Sequence, residues 1–143
     1  MEKTIIAAVA EDGTIGKNGE MPWHFPEDMK HFKETTIGFP VVMGRTTYLS
    51  LPESFRPLED RTNIVLTREE MDIDESVKQA NSLDEAWSYA EETGKNKVFI
   101  AGGASIYAQT IEEADRMILT EIPGEYDGDT FFPDWSQENW REV

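Results

Sequence analysis

The apolar residues of this chain fall in short blocks separated by polar stretches rich in Gly and Pro. Thr4–Ala10 (TIIAAVA) is almost wholly apolar, the pattern of a strand buried on both faces at the centre of a sheet. Glu11–Trp23 holds three Gly and one Pro around an isolated Ile15 and reads as a long loop. Loops that leave buried strands are common places for ligand sites and lids. Pro26 suits a first helical turn, and a helix is predicted over Pro26–Thr36. Glu27 and Asp28 sit favourably at its positive end, with Met29 and Phe32 on one face and Lys30 and Lys33 on another.

Phe39–Met43 (FPVVM) and Thr62–Thr67 (TNIVLT) predict two more strands. Gly44 marks a tight exit from the first into a helix over Arg45–Leu51, followed by a loop over Pro52–Asp60. The stretch through Gln79 reads as acidic surface. Ser82 with Glu85 forms a capping box that opens a helix to Thr93, closed by Gly94. Val98–Ala101 predicts a strand broken by Gly102-Gly103, then a helix over Ala104–Ile111 and a strand over Met117–Ile122. The remainder, with EYDGD and FFPDW, reads as loop or edge structure. Strand and helix alternate repeatedly, which predicts an α/β open sheet with mostly parallel strands.

A length of 143 residues fits one domain with a substantial core, and four Trp, four Tyr and seven Phe argue for a packed interior. The 29 acidic against 13 basic residues give a net charge of -16, a poor match for duplex DNA or an anionic membrane. With no Cys, disulfides, thiolate metal sites and cysteine nucleophiles are excluded. The two His, His24 and His31, are too few for a histidine-rich metal site and read as surface or loop residues. No leader peptide and no run of membrane-spanning length is expected, so the pattern is that of a soluble, cytoplasmic protein. The acid excess has three readings: solubility, a basic partner, or adaptation to concentrated salt.

Against that background the arginines stand out. Four of six (Arg45, Arg56, Arg61 and Arg68) fall within 24 residues. They either pair with surface acids or build an anion site; clustering beside Gly44 and a helix start favours the anion site. Gly102-Gly103, between a buried strand and a helix, permits close backbone approach to a pyrophosphate but equally makes a tight turn. It is neither the glycine-rich dinucleotide fingerprint nor a phosphate loop. Asp28 also has two readings. The commoner is an acid stabilised by the helix dipole; the other is a desolvated carboxylate that exchanges a proton near neutrality or pairs with an amidine-like heterocycle. Trp23 is either core or pocket wall.

The segments TIIAAVAEDGTIG, GEMPWHFPEDMKHFK, PVVMGRTTYLS, RPLEDRTNIVLTR, VFIAGGASIY, LTEI and DGDTFFPD occur in one order across nearly the whole chain. In that combination the sequence resembles the dihydrofolate reductases, and in composition the forms found in salt-loving archaea. The resemblance implies a single domain with a twisted, predominantly parallel central sheet flanked by about four helices. It implies hydride transfer from NADPH to C6 of dihydrofolate with protonation at N5. In this likeness Asp28 matches the pocket carboxylate, supported by Thr120, and Trp23 matches a residue holding a water near the pterin. Ile6, Ala7, Met29, Phe32, Leu58 and Ala101 would line the substrate pocket. Arg61 matches the arginine that pairs with the α-carboxylate of the glutamate tail, a bidentate role Lys fills poorly.

For the cofactor, the resemblance assigns the backbone of Ala8 and Ile15 to the nicotinamide carboxamide. Arg45, Leu66, Thr67 and Arg68 fall around the adenosine and its 2'-phosphate. Gly44, Thr46 and Thr47 fall at one phosphate-binding helix start. Gly102 and Gly103, a pair joined by a cis peptide in the family, fall at the other with Ala104, Ser105 and Ile106. Glu11–Met21 resembles a mobile loop that closes over nicotinamide and excludes water. No metal, nucleic acid, membrane or obligate protein partner is implied. The sequence departs from the family at Ala101, smaller than the usual aliphatic residue, and in the longer loop Leu51–Arg56. It also ends at Val143, where relatives continue into an antiparallel edge strand, so that segment is expected to be lacking. Two other functions remain: a pyrimidine reductase of riboflavin synthesis, related in fold, and a nucleotide-binding module without turnover.

Overall fold

The computed structural model describes residues 1–16, 26–134 and 140, and for 26–28 the backbone alone. Its centre is a sheet of six parallel strands: β1 (Glu2–Ala10), β3 (Val41–Gly44), β4 (Asn63–Leu66), β5 (Lys78–Ala80), β6 (Lys97–Ile100) and β7 (Arg116–Ile122). Their order is β5-β4-β3-β6-β1-β7. Short β2 (Thr14–Gly16) and β8 (Thr130–Phe131) form a separate antiparallel ribbon. The helices are α1 (Pro26–Thr36), α2 (Arg45–Ser50), α3 (Leu83–Glu92) and α4 (Ala104–Thr110). The expected α/β class, parallel sheet and four flanking helices are all present.

Alternation along the strands sorts the core onto two faces. Val41, Met43, Val65 and Phe99 pack with Tyr48 of α2 and Phe32 of α1 on one face. On the other, Val42, Ile64 and Val98 pack against Ala86 and Ala90 of α3. Ile5, Ala7 and Ile100 meet Ile106 and Tyr107 of α4 on that same side. Val41, Val42, Ile64, Val65, Val98 and Ile100 are all 0% exposed. Each such side chain contributes about 1.5–3 kcal/mol by leaving water. The neighbouring parallel strands β3 and β6 thus send their following helices, α2 and α4, to opposite faces. Where neighbouring connections diverge in this way, the carboxyl ends of the strands are the position at which open α/β sheets form a ligand crevice.

Several sequence expectations need correcting. β1 is paired on both sides, but β3 and β6 occupy the centre, because β6 inserts between β3 and β1. The loop after β1 is not structureless: Thr14–Gly16 is β2, too short for periodicity to reveal. Asp12 fastens this segment, its carboxylate accepting from the backbone N–H groups of Thr14, Tyr126 and Asp127. A hydrogen bond from the Thr14 side chain, joined by those backbone donors and opposed by desolvation, favours its charged form and lowers its pKa. The acidic stretch before Gln79 carries buried Met71 and Val77 and ends in β5. The Gln79 carboxamide pins Met71, accepting from its N–H and donating to its carbonyl at 2.7 and 3.0 Å. The Pro52–Asp60 loop contains a 3-10 turn at Glu53–Phe55. The Ser82 cap is present, its hydroxyl accepting from the Glu85 N–H at 3.1 Å.

Candidate active site

On the α1 and α2 face of the sheet, Ile6, Leu58 and Phe99 share one cluster with the flanking Phe32, Ala101 and Ile118. Four residues from four separate segments (Ile6, Phe32, Leu58 and Ala101) thereby belong to one apolar cluster, the wall considered below. Met29 is on the same helix as Phe32 but exposed. Ala7 differs from expectation: the strand's two-residue alternation places its side chain in the opposite cluster, with Ile106 and Tyr107. Thr120 pairs in register with Ala8, beside this wall.

Arg61 stands at the outer end of the wall. Its guanidinium lies 5.8 Å from the centroid of the Phe32 ring. Nε donates to the Glu59 carbonyl at 2.8 Å, and Nη1 donates to Thr36 Oγ1 at 3.1 Å. Partial burial lowers its pKa, opposed by the neighbouring Asp60 and Glu59 carboxylates. An arginine remains cationic under such a shift. The guanidinium is therefore a held cation whose remaining N–H groups can receive a carboxylate.

On the other side of the crevice, α2 and α4 begin at Gly44 and Gly103, and neither start has a side-chain cap. Their first-turn amides therefore lack the hydroxyl partner that Ser82 supplies to α3. The Gly44 N–H donates to the Gly102 carbonyl at 2.8 Å, locking the two helix starts together. The Gly102-Gly103 peptide is cis. Gly102 has φ +117, and a Cβ there would stand 3.2 Å from the Tyr107 hydroxyl; on Gly103 it would stand 3.2 Å from Thr47 Oγ1. A side chain at either position would press on these neighbours, and the positive φ of Gly102 itself favours glycine. Beneath it, the buried Tyr107 hydroxyl donates to the Ile6 carbonyl at 2.8 Å.

Beyond α2, Arg45, Leu66, Thr67, Arg68 and Glu69 line an open cleft of ≈ 430 Å³. Among the described residues neither Arg45 nor Arg68 has an ion pair, whereas Arg56 pairs with Glu53 at 3.6 Å. The bland reading of the arginine cluster thus holds for Arg56 alone. Thr67 fits less simply, since its hydroxyl donates to the Glu69 carbonyl at 2.7 Å and leaves only acceptor capacity. Thr46 and Ser105 are exposed and Ala104 half-buried at the helix starts. The Ile106 side chain is buried against Gly44, so only its backbone faces outward to a ligand. Ala8 and Ile15 are half-buried, near Tyr126 and Phe132 respectively.

Trp23, His24 and the Asp28 side chain lie outside the described residues; Asp28 is placed by its backbone as the third residue of α1. Sequence reasoning passed over Thr36, Asn63 and Tyr107. Asn63 carried a signal, a carboxamide opening an otherwise apolar strand. Among the described residues no group of His, Asp and Glu suits a metal ion, and no helix is long and apolar enough to cross a membrane.

Comparison with known proteins gives the family. Dihydrofolate reductase HdrB of Haloferax volcanii is 42% identical over 144 residues, covering 97% of this chain and 74% of that protein. Dihydrofolate reductase type 3 of Salmonella typhimurium is 42% identical over 140 residues, covering 98% and 83%. The dihydrofolate reductase of Haemophilus influenzae is 39% identical over 141 residues, covering 99% and 84%. The family model for dihydrofolate reductase matches residues 3–143, and the chain belongs to the dihydrofolate reductase family.

Proposed function

We propose that this chain reduces 7,8-dihydrofolate to 5,6,7,8-tetrahydrofolate with NADPH, in the crevice at the carboxyl ends of β1, β3 and β6. The observation that carries this reading is one apolar wall lying between two cation-bearing ends. The held Arg61 guanidinium stands at one end, and the uncapped helix starts with Arg45 and Arg68, without an ion pair among the described residues, stand at the other. A flat aromatic substrate with a carboxylate tail, laid beside a phosphorylated dinucleotide, matches that arrangement.

The residues present fit the cofactor. With no side chain at Gly102 and Gly103 a pyrophosphate would approach the backbone closely, and the first-turn amides of α2 and α4, which have no side-chain cap, would supply donors. Arg45 and Arg68 would receive the 2'-phosphate, with Leu66 against the adenosine and Thr67 accepting rather than donating. The backbone of Ala8 and Ile15 would hold the nicotinamide carboxamide. When bound, NADPH supplies the hydride that goes to C6 of the pterin.

The chain's own part is positioning and one proton route. Ile6, Phe32, Leu58 and Ala101 exclude water from the pterin and the aryl ring, while Arg61 anchors the tail. Asp28 takes hydrogen bonds from the pterin N3 and 2-amino group and promotes protonation at N5. Thr120 supports it, and Trp23 holds a water nearby. We read the chain as one domain acting in the cytoplasm, with no obligate macromolecular partner. Only four ion pairs occur among the described residues of a chain with 29 acidic residues. That surface suits molar salt, where screening removes repulsion among carboxylates.

Turnover of dihydrofolate set against the pyrimidine intermediate of riboflavin synthesis tests the substrate assignment. Dihydrofolate is expected to be reduced and the pyrimidine left untouched; the reverse preference would overturn the reading. Asp28→Asn is expected to retain NADPH binding and lose most neutral-pH activity. Partial recovery in acid follows because pre-protonated substrate needs no help. Full neutral activity in this variant would remove Asp28 from the proton route. The folded fraction is expected to rise between dilute buffer and molar KCl, and a flat or falling curve would reject salt adaptation.

A further inference from the structure

Buried polar side chains are rare in this molecule, and two of them converge on one arginine. Thr36 is 0% and Asn63 3% exposed. A buried carboxamide or hydroxyl is costly unless its hydrogen bonds are made, so its partners reveal what it holds. Asn63 Oδ1 accepts from the Leu58 N–H at 2.9 Å, while Nδ2 donates to the carbonyls of Leu58 and Arg61, each at 3.0 Å. One side chain thus fastens both ends of the turn 58–61 to the first residue of β4. Within that turn the Glu59 carbonyl receives Arg61 Nε.

Thr36 acts from the opposite side. Its hydroxyl donates to the Phe32 carbonyl at 2.8 Å, which directs the oxygen lone pairs toward Arg61 Nη1. Phe32 then lies under the guanidinium plane. The cation is gripped by the end of α1 and by the turn that Asn63 closes. Among the described residues two of its five N–H donors are engaged, which leaves three for a carboxylate.

We propose that Thr36 and Asn63 are positioning residues, which set the Arg61 guanidinium in the orientation that receives the carboxylate tail of the substrate. The proposal rests on the reading of Arg61 given above. A loose arginine loses side-chain entropy when it forms a bidentate pair, whereas one already held in place loses little, so the grip strengthens tail binding. Neither residue touches the pterin end. Their effect belongs on substrate affinity and not on the hydride step.

The test compares dihydrofolate with 6-methyl-7,8-dihydropterin, which keeps the ring and lacks the tail, in the intact chain with NADPH. Thr36→Val preserves shape and removes the acceptor. It is expected to raise KM for dihydrofolate by roughly tenfold, leaving kcat and the KM for the tail-less pterin in place. Thr36→Ser is expected to restore KM. Asn63→Ala is expected to act in the same direction; should it fail to fold, Thr36→Val alone decides. In an Arg61→Ala background, Thr36→Val is expected to add nothing. If Arg61→Ala weakens dihydrofolate selectively while folded Thr36→Val does not, or weakens both substrates equally, the positioning role is overturned. If Arg61→Ala itself leaves the preference for dihydrofolate unchanged, the tail reading fails, and the positioning role with it.

Discussion

The arginines at the two ends of the crevice are built differently. Arg61 is half-buried, lies over Phe32 and donates to two oxygens of the fold. Arg45 and Arg68 are exposed, and among the described residues they have no ion pair. The first is organised before any ligand arrives, and the second pair must be organised by the ligand. A pre-set cation in a partly dry site gives strong, geometrically selective binding; exposed cations give weaker binding that salt screens.

The contrast breaks most sharply at Arg61. Arg61→Ala removes a charge-assisted pair worth about 1.5–3 kcal/mol, so dihydrofolate affinity is expected to fall roughly 10- to 150-fold. Arg61→Lys is expected to lie close to Ala, since a point charge does not replace a planar fork. Titrating folded protein with dihydrofolate and with the tail-less pterin checks both, and an unchanged dihydrofolate affinity would remove Arg61 from the site. Arg45→Ala and Arg68→Ala are each expected to weaken NADPH by about two- to fivefold. NADH binding should stay level, and the NADPH loss should shrink as KCl rises. An equal loss for NADH would mean that these arginines do not read the 2'-phosphate.

The smallest effect concerns the helix starts. Ser82 caps the start of α3 on the sheet face away from the substrate wall, whereas α2 and α4 begin without a side-chain cap. Ser82→Ala is expected to cost about 1 kcal/mol of stability and to alter neither ligand's affinity. A thermal melt alongside cofactor titration separates the two readouts. Reduced NADPH affinity at full occupancy of the folded state would blur the distinction between a cap and a binding amide.

Much of this was readable from residue pattern. The apolar runs TIIAAVA, PVVM, TNIVLT and VFIA mark strands because parallel strands covered on both faces have few polar positions to interrupt the run. The Ser82 cap and the helix after Pro26 were equally plain, since caps and first-turn prolines are local chemistry. The three-residue strands β2 and β5 do not show in the pattern because so short a segment cannot establish an alternation of period two. The apolar wall became visible only through the resemblance, since Ile6, Phe32, Leu58 and Ala101 are far apart in sequence. Ala7 was placed with its neighbour Ile6, although adjacent strand residues point to opposite faces. Thr36 and Asn63 were passed over because a threonine ending a helix and an asparagine opening a strand look like ordinary boundary residues. What sets them apart is burial, a tertiary property.

The most direct measurement of the central claim is oxidation of NADPH by the intact protein with and without dihydrofolate, in dilute buffer and in molar KCl. The account predicts oxidation that depends on dihydrofolate and saturates with it. Folded protein that binds NADPH yet oxidises none when dihydrofolate is added, at either salt, would contradict it.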